Sequence, residues 1–332
     1  MSHHPQTQAS LAGATRDAER RGVTPTPIIL DCDPGHDDAI ALLLALASPE
    51  LQVLGVTTVS GNQTLEKTTA NAIRVLDHVG RTDVPVAAGA GRPLIRERHT
   101  AAEVHGETGL DGPSLPGPSR APEPLHAIDW IAGTITSSAD PITLVATGPL
   151  TNVGLFLARY PELEPRLERI VLMGGAIGEG NTTPAAEFNI WVDPEAAARV
   201  FQSRLDLTMV GLDVTHRALM TPAHAERLAA AGRAGKLVAD LYRFYSRFHS
   251  RRYGWDGAPV HDAAAMAHVI DDTLLTTRHR GVLVDTGPEP SRGRTHVDLH
   301  ESLGWEPNCH VAVDIEAARF LELLIARISA LG

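Results

Sequence analysis

The apolar residues of this chain fall in short runs that alternate with stretches of helical length. Ile28-Ile29-Leu30 follows Pro27 and ends in carboxylates, as a buried strand does when it emerges at the rim of a sheet. Residues 37–47, two aspartates followed by Ala, Ile and Leu, then read as a buried helix. Val53 to Val59 precedes a helical 64–79, and Ile142 to Ala146 precedes a helical 151–159. Ile170 to Met173 and Leu207 to Val210 are further strand candidates. The alternation predicts an α/β fold: a single domain with a mostly parallel open sheet, helices on both faces, and the active site at the C-terminal ends of the strands. Two stretches interrupt it: 91–125, dense in Gly, Pro and charge, and 215–260, two predicted helices rich in Arg and His. Both are expected to be lids or binding loops, not separate domains.

A length of 332 residues suits one large α/β domain, placed at 26–332. Residues 1–25 are polar, have no apolar segment of the kind a secretory signal needs, and are expected to form a disordered tail. No apolar run approaches the ~18 residues needed to cross a bilayer, so no membrane partner is expected. The formal charge of -11, without any Lys/Arg cluster, argues against nucleic acid. Lysine occurs only at Lys67 and Lys236, which leaves little for Schiff-base or P-loop chemistry. Cys32 and Cys309 have neither a disulfide framework nor metal-ligand spacing, and a reducing cytoplasm fits them best.

The densest chemistry lies in Asp31-Cys32-Asp33-Pro34-Gly35-His36-Asp37-Asp38, four carboxylates at a strand-to-helix turn. Such a group repels itself unless backbone N–H groups, a helix N-terminus or a cation compensates. One aspartate here is most simply a helix cap; four call for a hard divalent ion such as calcium or magnesium, and the lack of soft ligands disfavours zinc. Counting from Asp31, the EF-hand positions for Gly and Glu fall on His36 and Leu42, so that loop is excluded. A phosphotransferase with an aspartyl nucleophile stays open at this point, although it would want a lysine.

This segment, followed by ThrThrValSerGlyAsnGln at 57–63, resembles the signature of the inosine-uridine-type nucleoside hydrolases. Blocks at 105–113, 144–152, 171–175, 180–190 and 260–262 resemble that family's in the same order, so the likeness spans 27–325. It implies hydrolysis of the N-glycosidic bond of ribonucleosides to ribose and free base, in a cytoplasmic nucleoside-salvage setting, by a homotetramer or homodimer with one Ca²⁺ per subunit. By the same resemblance Asp33, Asp38, Asp262 and the backbone carbonyl of Thr147 would bind calcium, and Asp33 would activate the calcium-bound water. Asp37, Asn181, Glu187 and Asn189 would surround the ribose, with Asn62 near the attacking water and Met173 touching the sugar through its backbone. His261 is the candidate acid for the leaving base, and His105 would lie near that base.

The first block and the HisGlyGlu segment look closest to the pyrimidine-preferring bacterial branch. Tyr253 matches a base-contacting tyrosine of that branch, while His249 stands where the branch has glutamine. Uridine and cytidine are the expected substrates, with inosine or another purine nucleoside as the alternative. A calcium-dependent nucleoside-binding protein without activity is a further alternative. Phe188 is expected in the core, and Trp191 and Trp255 match no base-stacking position.

Overall fold

A computed structural model of the chain describes residues 24–332. The tail expected at 1–25 lies, but for its last two residues, outside the described residues.

Eight strands form the central sheet in the order β3-β2-β1-β4-β5-β6-β12-β9. Their ranges are Val86–Ala88, Leu51–Thr58, Thr26–Cys32, Ile142–Ala146, Leu167–Met173, Leu207–Val210, Cys309–Ile315 and Leu275–Arg280. All neighbours pair in parallel except β12 and β9, which are antiparallel. Two small ribbons complete the strands: β7 (Leu219–Met220) with β8 (Ala258–Pro259), and β10 (Val282–Val284) with β11 (Thr295–Val297).

The strand β1 is third from one edge of the sheet, paired on both sides, and its apolar run is long enough only to cross the sheet once. Alternate side chains feed two cores. Ile28 and Leu30 join a layer with the helices His36–Leu46, Leu65–His78, Gly232–Tyr253, His261–Ile270 and Ala317–Ala330, whereas Ile29 faces Ala127–Ser137, Thr151–Arg159 and Pro194–Phe201. The helix His36–Leu46 is buried along His36 to Ala45, because it is overlaid by other helices in turn. This explains its lack of a polar stripe. The strands and helices expected from the sequence are all present, with ends that differ by up to three residues.

Chain order reverses between β1 and β4: from β1 the chain winds outward through β2 and β3, then returns to β4 on the other side. A crevice opens at such a switch point beyond the carboxyl ends of the strands. The two interrupting stretches both reach it. Residues 91–125 carry a short helix, Ala102–His105, and 215–260 carry Pro222–Ala229 and the long Gly232–Tyr253.

Candidate active site

Beyond β1, the backbone turns at Pro34-Gly35 and enters the helix at His36. The Asp38 carboxylate closes this turn, accepting the N–H of Gly35 at 3.0 Å and of Asp33 at 3.3 Å. It also accepts from Asn62 Nδ2 at 2.9 Å and Thr147 Oγ1 at 2.9 Å, which ties the ends of β1, β2 and β4 together. Asp33 is fully buried; its Oδ2 accepts the N–H of Asn62 at 2.6 Å, while its Oδ1 has no hydrogen-bond partner. Gly148 makes that orientation possible, since a Cβ there would stand 2.7 Å from Asp33 Oδ1. Asp31, one turn deeper, is held by Thr57 Oγ1 at 2.5 Å and Asn152 Nδ2 at 2.8 Å and belongs to the support of the site.

The helix His261–Ile270 delivers Asp262 from the far side. One ligand atom from each of Asp37, Asp38 and Asp262 lies within 4.8 Å of the others, and all three are buried. Burial and mutual repulsion raise these carboxyls: Asp37 is pushed up to about 8 by burial first and by Asp38 second, and Asp33 and Asp262 are pushed well above the usual carboxylate range by burial and their acidic neighbours. An all-oxygen set with no neutralising base beside it fits a hard divalent cation. Asp37 belongs to this set, and Asp33 Oδ2 is engaged by the N–H of Asn62. The Thr147 carbonyl accepts from Asn189 Nδ2 at 2.8 Å and keeps a second lone pair.

These residues floor a cavity of about 380 Å³. Its polar side is pre-set by backbone contacts. Glu187 caps the helix Phe188–Val192 and takes the N–H of Gly175 at 3.0 Å, while both amide hydrogens of Asn189 point to the carbonyls of Thr147 and Met173, leaving its Oδ1 free. Asn181 Oδ1 accepts the N–H of Phe188 at 3.0 Å, which leaves its amide nitrogen free to donate. Burial pushes Glu187 up to about 7. Met173, at the end of β5, lines the cavity, and its side chain is buried as expected.

The opposite wall is aromatic and imidazole-rich. Tyr245, His249 and Tyr253, with Phe248 and Arg252, recur at helical spacing on one face of Gly232–Tyr253 and line the cavity together with His105, His216 and His261. Tyr253 stacks on Trp255 with centroids 4.4 Å apart. His261 Nδ1 lies 2.7 Å from Thr215 Oγ1, and His216 sits 5.5 Å from the His261 ring. His105 Nδ1 lies 3.2 Å from both the backbone N–H and the ring Nδ1 of His36, whose Nε2 faces the Asp111 carbonyl at 2.8 Å. Burial pushes the pKa of His36 and His249 down to about 4 and holds His105 and His261 well below the usual imidazole range, which keeps these rings neutral.

All the residues singled out in the sequence therefore border this crevice or lie directly behind it. The expectation for Phe188 is corrected: it is partly exposed and lines the cavity, because the helix that Glu187 caps begins there and turns its first side chain outward. Trp191 also lines the cavity, beside His99 at 4.8 Å between rings. Tyr245, Phe248 and His216 were missed. The three-and-four spacing of 245, 248, 249, 252 and 253 was a signal for the first two; His216 offered none beyond following the strand β6 by a few residues.

The family model for inosine-uridine preferring nucleoside hydrolases matches residues 28–322. The pyrimidine-specific ribonucleoside hydrolase RihA of Escherichia coli O9:H4 (strain HS) is 51% identical over 304 residues, covering 91% of this chain and 98% of the relative. The protein of the same name from Salmonella arizonae is 51% identical over 308 residues, covering 92% and 99%. Among solved structures, the purine-preferring ribonucleoside hydrolase from Gardnerella vaginalis superposes with a TM-score of 0.87 at 34% identity, covering 92% of this chain and 99% of that one. Sequence, fold and the acidic crevice agree, and the chain belongs to the inosine-uridine preferring nucleoside hydrolase family, as a ribonucleoside N-glycosyl hydrolase.

Proposed function

We propose that this enzyme hydrolyses pyrimidine ribonucleosides, uridine and cytidine, to ribose and free base in a calcium-dependent reaction. The observation that carries the reading is the two-sided cavity: carboxylates and oriented amides face a wall of aromatic rings and neutral imidazoles. The first side suits the hydroxyls of a ribose and the second a flat heterocycle. The naming of the relatives at 51% identity as pyrimidine-specific points the same way.

Asp33, Asp38 and Asp262, with the Thr147 carbonyl, are the residues assigned to the ion, and Asp37 stands close enough to join them or to take a ribose hydroxyl. Calcium bound there would orient the sugar hydroxyls and make water easier to deprotonate. Asp33 is the assigned general base, since its buried Oδ1 has no hydrogen-bond partner. As the bond to the base lengthens, the sugar gains oxocarbenium character, and the free Oδ1 of Asn189 and the Glu187 carboxylate stabilise it electrostatically. Asn181 binds the sugar, Asn62 orients the water, and Met173 touches the sugar through its backbone. His261 is assigned to the departing base, with His105, His249 and Tyr253 around it. The chain is expected to act in the cytoplasm as a homotetramer or homodimer, and sedimentation of the full chain tests its assembly.

The test is reducing-sugar release from uridine, cytidine, inosine and adenosine before and after chelation and calcium restoration. Calcium-restorable release, fastest from the pyrimidines, is the expected result. Release that survives complete metal removal sinks the calcium assignment, and a purine nucleoside as best substrate sinks the pyrimidine one.

A further inference from the structure

The cavity has a third wall, made by Phe188, Trp191 and His99, that neither the acidic floor nor the imidazole wall puts to use. Trp191 offers it carbon only. Its Nε1 donates to Glu289 Oε1 at 2.8 Å, and the Arg292 guanidinium covers the ring at 4.3 Å from the centroid without itself lining the cavity. Gly293 (φ 74°) lets this outer segment close on the helix, since a Cβ there would stand 2.5 Å from Trp191 Cα. His99, 4.8 Å from Trp191 between rings, sits in a strap tied at both ends. Before it, the Leu94 N–H donates to Asp193 at 2.9 Å and Arg96 pairs with Glu195 at 2.6 Å; after it, the Ala101 N–H donates to the Asn62 carbonyl at 3.1 Å. The wall is therefore built in advance of any ligand. Beside it, the Glu187 oxygens accept the N–H groups of Gly175, Asn189 and Ile190, and Asn181 Oδ1 accepts that of Phe188. Asn181 Nδ2, a donor, makes no hydrogen bond among the described residues.

A ribonucleoside has three ends: the diol, the base and C5′. With the diol on the acidic floor and the base against the helix Gly232–Tyr253, C5′ is left to the third wall. Resting on the reading of this cavity as a pyrimidine ribonucleoside site, we propose that the wall of Phe188, Trp191 and His99 is a subsite for an apolar 5′ substituent, so that 5′-O-alkyl and 5′-alkylthio ribonucleosides are substrates alongside the free nucleosides. The 5′ oxygen or sulfur accepts from Asn181 Nδ2, and the alkyl group lies on Phe188 and Trp191. Each methylene-sized group moved from water onto such a wall favours the bound state by about fourfold. The bond chemistry is that of the parent reaction: the water oxygen bonds to C1′, the C1′–N bond breaks with its electron pair leaving on the base, the base takes up a proton, and the ether or thioether stays intact. A 5′-phosphate suits this wall poorly. It would set its charge against apolar rings and the Glu187 carboxylate, with the Arg292 guanidinium shut away behind the indole.

The experiment compares kcat/KM, by reducing-sugar release, for uridine, 5′-O-methyluridine, 5′-deoxy-5′-methylthiouridine and uridine 5′-phosphate in the calcium-supplied full chain and in Trp191→Gln. In the unaltered enzyme both alkylated compounds are expected within about tenfold of uridine or better, and the phosphate at least about a hundredfold below it. In Trp191→Gln the ratio of the methylthio compound to uridine is expected to fall by about fourfold or more. Hydrolysis of uridine with a loss of more than about tenfold on either alkylated compound overturns the proposal and leaves nucleoside hydrolysis standing. A phosphate cleaved as well as the alkylated compounds overturns the apolar character of the subsite. An unchanged ratio in a folded Trp191→Gln variant overturns the assignment to this wall. Release from none of the four compounds overturns the underlying reading and the proposal with it. Should the variant fail to fold, the series from 5′-O-methyl- to 5′-O-propyluridine in the unaltered enzyme decides: kcat/KM must rise along it, and a series without that rise overturns the proposal.

Discussion

At Asp33 two opposite demands meet. Its carboxylate is enclosed by Asn62, Gly61, Gly148 and Pro149, which holds it still, and the same enclosure makes ionisation costly. A group so placed takes a proton readily once its charge is stabilised, which is the property a general base needs. Asp33→Ala is therefore expected to lose about 10² to 10⁴-fold in turnover while the fold survives, because removing a buried, partly unpaired carboxylate relieves repulsion with Asp38. Circular dichroism and reducing-sugar assays on the same preparation check both halves; a folded variant with near-normal turnover removes Asp33 from the role. The acidic cluster around Asp33 was legible because four carboxylates in eight residues are hard to explain otherwise, whereas the role expected of Asp33 itself came from the family resemblance. The free state of its Oδ1 was not legible, because Asn62 and Gly148 lie far from it along the chain.

At the scale of elements, the helix His36–Leu46 carries the load of positioning. It places Asp37 and Asp38 in its first turn, where backbone N–H groups favour negative charge, and anchors them by packing against the helices His261–Ile270 and Gly232–Tyr253. Leu43 is wholly buried in the core layer on that side of the sheet. Leu43→Ala is expected to cost about 2 to 5 kcal/mol by lost transfer energy and the cavity left behind. Urea unfolding followed by tryptophan fluorescence measures it, and a loss below about 1 kcal/mol would show that the helix repacks easily. Strand and helix types were readable from periodicity since each element is either enclosed on both faces or amphipathic. The beginning of the helix Phe188–Val192 was not: five residues are too few to show a period, and glutamate is not among the usual N-capping residues, although here its carboxylate accepts the N–H groups of Asn189 and Ile190.

For the molecule as a whole, the acidic crevice couples stability to pH and to the cation. Burial holds Asp37 at about 8 and Glu187 at about 7, so the folded chain retains protons that the unfolded chain has already released near pH 4. Stability contributed by these protons is present at low pH and is lost as pH rises toward 8, the reverse of His36 and His249, whose neutral burial favours folding above their ordinary range. The proposed calcium would replace the missing protons as the counter-charge and compete with them at lower pH. The rise in Tm on adding calcium is therefore expected to be larger near pH 8 than near pH 6.5, by roughly a few degrees in differential scanning calorimetry. A calcium shift that is equal at both values, or greater at the lower one, contradicts the coupling. No helix among the described residues is long and apolar enough to cross a membrane. The sequence by itself determined the α/β class, the order of strands and helices, and the acidic and polar blocks, because periodicity and short-range spacing are local properties of the chain. Only the tertiary structure decided which oxygens and imidazole nitrogens are left free: the reversal between β1 and β4, and the long helix Gly232–Tyr253 laid across it, bring together groups that are hundreds of residues apart, and their unpaired atoms exist only once every other partner has been assigned.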